Sequence, residues 1–271
     1  MKRNVLSLAL ALLMLIPALP AVQARESQTL TVFAAASLTD AFGDIATGFE
    51  AAHPGVKVVL NFGSSSTLAA QLAEGAPADV FASANGKQMS VARRAGRTAD
   101  PIHVFAQNRL VIAVPADNPA HIQALRDLAR PGVLLVVAAP DVPVRDYTDR
   151  MLEQVAAVPA YGQTYRQAVI ANIVSEEDNV RAVVAKVALG EADAGIVYQS
   201  DITPDVARDV TAVPIPNVYN TLATYPIAVT NDTPRPQLAW SFVDYVLSDA
   251  GQAALAHWGF IPVPASSGTI P

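Results

Sequence analysis

The chain has no cysteine, which excludes a disulfide framework, thiolate zinc sites, thiol nucleophiles and a lipid-bearing N-terminal Cys. It is also poor in charge, with 15% Asp, Glu, Lys and Arg against about 25% in an average soluble chain, so no charged disordered tail is expected. The charge present leans acidic, 24 Asp+Glu against 18 Lys+Arg, whereas a phosphate-backbone binder needs a concentrated basic face. Aromatics make up 6%, few for a surface that stacks bases. Nucleic acid is therefore not an expected partner. Beyond the N-terminus no uncharged apolar run reaches the roughly 20 residues of a membrane span, so no direct membrane insertion is expected. What is present is 271 residues, 52% of them hydrophobic, enough for one large domain or two modest ones around a real core.

Lys2 and Arg3 precede an apolar run over residues 5–16, Pro17 and Pro20 break it, and small-residue spacing ends at Val22-Gln23-Ala24. This is the layout of a secretory signal peptide over residues 1–24, with cleavage after Ala24. An exported, soluble protein without a lipid anchor is expected.

From Leu30 onward, short β-rich runs alternate with amphipathic stretches, the signature of an α/β fold with parallel strands. Strands are predicted at 30–33, 56–62, 78–81, 110–114, 133–137, 194–198 and 226–229. Helices are predicted from Ser37, over 65–74, from Gly86, and over 122–129, 144–155, 161–171 and 237–247. Ser175-Glu176-Glu177-Asp178 has capping-box form ahead of a helix faced by Val180, Val183, Val184 and Val187. With no single linker evident, a boundary that the chain crosses twice is expected.

Enzyme motifs fail one by one. His53, His103, His121 and His257 are scattered, without metal-ligand spacing. Gly63-Ser64-Ser65-Ser66-Thr67 lacks the final Gly of a nucleophile elbow, and Gly86-Lys87 lacks the rest of a P-loop. No nucleophile, base and orienting group assemble, so no enzyme is expected. What stands out is a pair of helix starts rich in hydroxyls and bare of carboxylates, at Ala36-Ser37-Leu38 and Ser64-Ser65-Ser66-Thr67. A helix start offers free N–H groups and partial positive charge, and so can hold an anion without a cation. Ordinary capping by Ser is the alternative for each site taken singly.

At these residues the chain resembles the periplasmic molybdate-binding proteins of molybdate ABC transporters. The resemblance runs through Val32-Phe33-Ala34-Ala35-Ala36-Ser37-Leu38-Thr39-Asp40, Phe62-Gly63-Ser64-Ser65-Ser66-Thr67-Leu68-Ala69 and Gly75-Ala76-Pro77-Ala78-Asp79-Val80-Phe81. It continues at Asp141-Val142-Pro143, Asn179-Val180-Arg181, Gly190-Glu191-Ala192-Asp193-Ala194-Gly195-Ile196-Val197-Tyr198 and Gly259-Phe260. It implies a two-lobed type II periplasmic-binding fold, each lobe a mixed or parallel sheet flanked by helices, with the ligand in the cleft. Lobe 1 would span 25–107 and 225–271, and lobe 2 would span 108–224. It also implies an oxyanion held by the hydroxyls of Ser37, Ser65 and Tyr198 and by the backbone N–H groups of Val144 and Val180. Two departures add candidates. Val144-Arg145 stands where the family carries small residues, so Arg145 is a direct ligand, a gate or a solvent-facing charge. Asn179 stands where some relatives carry Asp, as an added donor or a cap. A monomer that takes molybdate and tungstate and hands them to a membrane permease is expected, with no cofactor and no metal except in the oxyanion itself. The alternative is a protein of this fold for sulfate, phosphate or a small organic carboxylate.

Overall fold

The computed structural model of the chain describes residues 28–263 and 269–270; the expected signal segment lies outside them. Two sheets form, and the order in which the chain visits them sets up everything that follows. The first five strands are β1 (Gln28–Ala35), β2 (Val56–Gly63), β3 (Val80–Ala82), β4 (Ile102–Asn108) and β5 (Leu110–Pro115). They are followed by β6 (Leu135–Ala138), β7 (Ile173–Glu177), β8 (Ala194–Tyr198), β9 (Val210–Pro214), β10 (Ala223–Val229), β11 (Ile261–Pro262) and β12 (Thr269–Ile270). The first sheet runs β11-β4-β10-β3-β1-β2, with β12 also on β4; the second runs β7-β6-β8-β5-β9. The chain leaves the first sheet between Asn108 and Arg109 and returns between Pro214 and Ala223.

Both sheets are mixed, where alternation of strand and helix alone favours parallel pairing. β1 pairs in parallel with β2 and β3, and β6 with β7 and β8. These parallel pairs need crossover connections, supplied by α1 (Thr39–Ala52), α2 (Ser65–Ala73), α4 (Pro143–Ala156), α5 (Gly162–Ala171) and α6 (Val180–Ala188). The strands on either side of each chain crossing, β4/β10 and β5/β9, enter antiparallel. α3 (Gly86–Arg94), α7 (Pro236–Leu247) and α8 (Asp249–His257) complete the helical layers.

The core follows from the apolar spacing. Phe42 and Phe49, seven residues apart on α1 and fully buried, lie on one helix face and meet Phe242 of α7 edge to face. In the second sheet the five residues of β8 are all buried, and Gly195 is what lets α6 lie against them. A Cβ there would come within 2.7 Å of Val183 Cγ1 and 3.1 Å of Val187 Cγ2. Gly190, at φ +71°, then ends α6 in the left-handed region that favours glycine.

Several elements differ from expectation. Residues 122–129 form only a short 3-10 helix, Leu125–Ala129, because Asn118 bonds Ile122 in both directions and holds its backbone in a loop. Ser175, Glu176 and Glu177 of the expected capping box are instead part of the edge strand β7, paired with β6, and Asn179 caps α6 through its own side chain. Strands β4, β9, β11 and β12 and helix α8 went unread in the sequence.

Candidate functional site

The carboxyl ends of β1, β2 and β8 and the starts of α2, α4 and α6 converge on one cavity between the sheets, where ligands of open α/β sheets gather. Its empty volume is about 220 Å³. Small side chains and backbone line this space, so it suits a compact ligand of a few atoms. Every residue lining it is neutral.

Ser37 lies in a one-turn 3-10 segment, Ala36–Leu38, between β1 and α1. It was read as a helix cap, but no side-chain capping bond forms there; its hydroxyl lies 3.0 Å from the Tyr225 hydroxyl instead. Ser65 opens α2 and leaves the capping to Ser64, whose Oγ accepts from the Thr67 N–H at 3.3 Å. Ser65 Oγ accepts the Ala84 backbone N–H at 2.9 Å.

The two amide positions owe their freedom to the helix starts. On α4, Pro143 has no N–H, and the Arg145 N–H already donates to the Val142 carbonyl at 2.9 Å. Between them, Val144 lines the cavity with an amide the helix leaves unspent. On α6, Asn179 Oδ1 accepts the Ala182 N–H at 3.1 Å, so its oxygen caps the helix. The amide of Val180, the first helical residue, has no intrahelical acceptor.

Tyr198 ends β8 with 1% of its surface exposed. Its Oη is a buried polar atom without a hydrogen-bond partner among the described residues. Burial, then the neighbouring Tyr225 and Tyr147, push its pKa well above the ordinary phenol value, so it stays a neutral donor. An unpaired buried hydroxyl is costly, and this one borders the cavity.

The cations nearby are engaged elsewhere. Arg145 does not line the cavity; its guanidinium bonds Asp149 at 3.0 Å, Glu176 at 2.6 Å and the Ala138 carbonyl at 3.0 Å. Arg181 on α6 contacts Asp40 on α1 and lies 3.4 Å from the fully buried Asp201. Lys87 of α3 pairs with Asp141 at 2.8 Å and Asp146 at 3.1 Å. These last two sets span from elements on the first sheet to elements on the second, so the cavity is bridged on both flanks. Neither bridge was read from the sequence, nor was Tyr225. Ala84 was accessible in principle, because Ala82-Ser83-Ala84-Asn85 is a third strand-to-helix turn capped by Asn85. Among the described residues, no group of three His, Asp or Glu could hold a metal ion.

Two sheets joined by two chain crossings, with a small neutral donor-lined cavity between them, define a binding protein for a compact solute. The comparisons agree in kind. The family model for bacterial extracellular solute-binding proteins matches residues 30–261, and the chain belongs to that family. The Molybdate-binding protein ModA of Mycobacterium tuberculosis is 42% identical over 241 residues, covering 89% of this chain and 87% of the relative. ModA of Escherichia coli is 33% identical over 242 residues, covering 85% and 88%. Among solved structures, the periplasmic molybdate-binding protein of Azotobacter vinelandii superposes with a TM-score of 0.72 at 20% identity, covering 86% of this chain and 99% of that one. The sulfate-binding protein SubI of Mycobacterium tuberculosis gives a TM-score of 0.75 at 22% identity, covering 87% of each chain. The fold is thus that of the type II periplasmic-binding proteins, and the family is one of extracytoplasmic solute binders, not an enzyme class.

Proposed function

We propose that this chain binds molybdate, and tungstate as well, in the cavity between its sheets and delivers the anion to the permease of an ABC transporter. The single observation that carries the oxyanion reading is the cavity itself. It is small, its lining is neutral, and it gathers two serine hydroxyls, two unspent helix-start amides and an unpartnered buried phenol. The ModA relatives supply the identity of the anion. Ser37, Ser65, Val144, Val180 and Tyr198 are the donors in this reading, and Asn179 acts by capping α6. The lobes are 25–107 with 225–271, and 108–224, working in the periplasm as a monomer.

Neutral donors suffice because they are fixed dipoles in a site screened from water, which stabilise charge without reorganising. Hydrogen bonds to a charged group contribute about 1.5–3 kcal/mol each, so five of them support tight binding after the ordering costs of association. Hydroxyls and amides do not separate sulfate from molybdate by chemistry, since both offer the same acceptor oxygens. Cavity size does, because the metal oxyanions have longer bonds, and tungstate nearly matches molybdate.

The test is a thermal-melt series on the mature chain with molybdate, tungstate, sulfate, phosphate and a dicarboxylate. Ligand at 100 times its dissociation constant adds about 2.7 kcal/mol of stability. Molybdate and tungstate are expected to raise the melting temperature while equal sulfate does not. A rise with sulfate, phosphate or the dicarboxylate alone would overturn the ligand assignment and leave the fold untouched.

A further inference from the structure

We infer that the chain carries a second anion site, apart from the cavity between the sheets, in which the guanidinium forks of Arg97 and Arg235 hold a small organic dicarboxylate.

The site is an open hollow beside β1 and just ahead of β3. Its walls are the turn leading from α2 into β3, Arg97 just past α3, and the segment ahead of α7 that carries Asp232 and Arg235. Every wall residue belongs to elements on the first sheet. Thr31 stands here and Ala35 at the cavity, so about 13 Å of β1 separates the two places at the rise of a strand.

Backbone bonds hold both arginines in position. Thr233 Oγ1 accepts the Arg235 N–H at 3.1 Å and donates to the buried Asp79 carboxylate. The other Asp79 oxygen accepts the Thr31 N–H at 2.7 Å. That carboxylate is spent on anchoring the wall and pairs with neither cation. The Arg97 N–H donates to the Ala92 carbonyl at 3.0 Å, and its carbonyl accepts the Asn231 N–H at 3.1 Å. The Asn231 side-chain amide donates to the carbonyls of Gly96 at 2.8 Å and Thr98 at 3.1 Å, which ties the Arg97 turn to the segment bearing Arg235.

The two guanidinium groups are under-served. Arg97 pairs with Asp232, itself 52% exposed, and its Nε is buried without a partner among the described residues. The partly buried Arg235 guanidinium has neither a hydrogen bond nor an ion pair among the described residues. Arg93 and Arg94 close the last turn of α3, so three of the chain's 18 basic residues fall within 93–97. In an acidic chain this concentration draws anions to one place. The fork of a guanidinium matches the planar carboxylate with two parallel bonds. Two forks suit two carboxylates, and the hollow, about 640 Å³ of open space against about 220 Å³ for the cavity, has room for the carbons between them. Pro77 and Pro234 give those carbons an apolar wall.

Sodium succinate is the probe, titrated into the mature chain with and without saturating molybdate, against sodium chloride of equal ionic strength. Calorimetry gives the affinity, and the side-chain NMR signals of the arginines locate the site. Succinate is expected to bind equally well in both cases, with the Arg97 and Arg235 signals moving on one saturation curve. Arg235→Gln, which breaks no contact within the described residues, should weaken succinate at least tenfold, the lower bound for hydrogen bonds to a charge. Arg235→Lys keeps the charge, loses the fork and should weaken it nearly as much. Asp232→Asn frees Arg97 and should tighten it, by no more than about fivefold for an exposed pair. A gain of this kind does not come from unfolding. Three results would overturn the site: no saturable movement of either arginine signal, loss of succinate binding once molybdate fills the cavity, or Arg235→Lys binding as tightly as wild type.

Discussion

Asp201 is a carboxyl with none of its surface exposed, and its surroundings pull it in opposite directions. Burial raises its pKa, Arg181 and the Tyr198 N–H at 3.0 Å lower it, and Asp40 raises it again, leaving it at about 6. In the unfolded chain it returns to the ordinary value near 3.8. The folded form therefore binds more protons between these two values, and the native state loses stability as pH rises through that window. The loss amounts to roughly 3 kcal/mol at about 1.4 kcal/mol per unit, and it is complete above pH 6. Melting curves of wild type and Asp201→Asn from pH 4 to 8 check this. Wild type is expected to fall relative to the variant between about pH 4 and 6 and to run parallel above. A flat difference would show that the folded carboxyl titrates normally. The residue matters to the site because the same carboxylate holds the backbone of Tyr198, whose phenol borders the cavity.

At the scale of elements, the position of α6 decides whether the Val180 amide reaches the cavity, and Gly195 decides the position of α6. In Gly195→Ala the new Cβ would lie 2.7 Å from Val183 Cγ1 and 3.3 Å from Val136 Cγ1, so helix and strand must separate. Overpacking of this kind costs about 1–3 kcal/mol, and molybdate affinity should fall with stability, because the start of α6 shifts as well. Adding Val183→Ala removes the nearest clash and is expected to recover most of both losses. Simple additivity of the two single changes, in denaturant melts and titrations, would refute the packing account. This element also shows what a sequence can disclose. The valines of α6 and the run 194–198 were legible because their spacing is local, and both elements stand where the pattern put them. Ser37, Ser65, Val144, Asn179, Val180 and Tyr198 line one cavity; the two serines were legible as hydroxyls at helix starts, a local signature, whereas the other four were reached only through the family resemblance. The strand at Ser175-Glu176-Glu177 was not legible, since the same polar residues serve a cap or an exposed edge and only pairing with β6 decides. Tyr225 was read only as a crossing point, and its bond to Ser37 joins residues 188 positions apart. The engagement of Arg145 by Glu176 spans 31 positions and is equally silent in the chain.

For the molecule as a whole, the two bridges across the cavity make closure a matter of small balances. Lys87 and Asp141 are 46% and 70% exposed, and surface pairs of this kind contribute about 0–1 kcal/mol. The Asn85 amide donates to Asp146 at 3.1 Å and the Gln88 amide to the Asp141 carbonyl at 2.9 Å on the same flank, so loss of the ammonium alone leaves that flank joined. Arg181 and Asp40 are more sheltered, 26% and 31% exposed. Removing Asp40 leaves Arg181 with only the imperfectly aligned Asp201. The second bridge should therefore weigh more on the closed state, and the bound anion, joined to both halves, should weigh more than either. Dissociation rates of molybdate, followed by stopped-flow mixing with a chelating competitor, put numbers on this. Lys87→Met is expected to speed release less than about fivefold, the limit set by about 1 kcal/mol, and Asp40→Asn to speed it by more. Both effects belong to dissociation, because the bridges form only once the halves have met. Raising salt should speed release in wild type and do so less in Lys87→Met, since an exposed ion pair is screened and the partly buried hydrogen bonds that remain on that flank are screened less. If Lys87→Met released the anion faster than Asp40→Asn, exposure would be the wrong guide to which bridge holds the halves together.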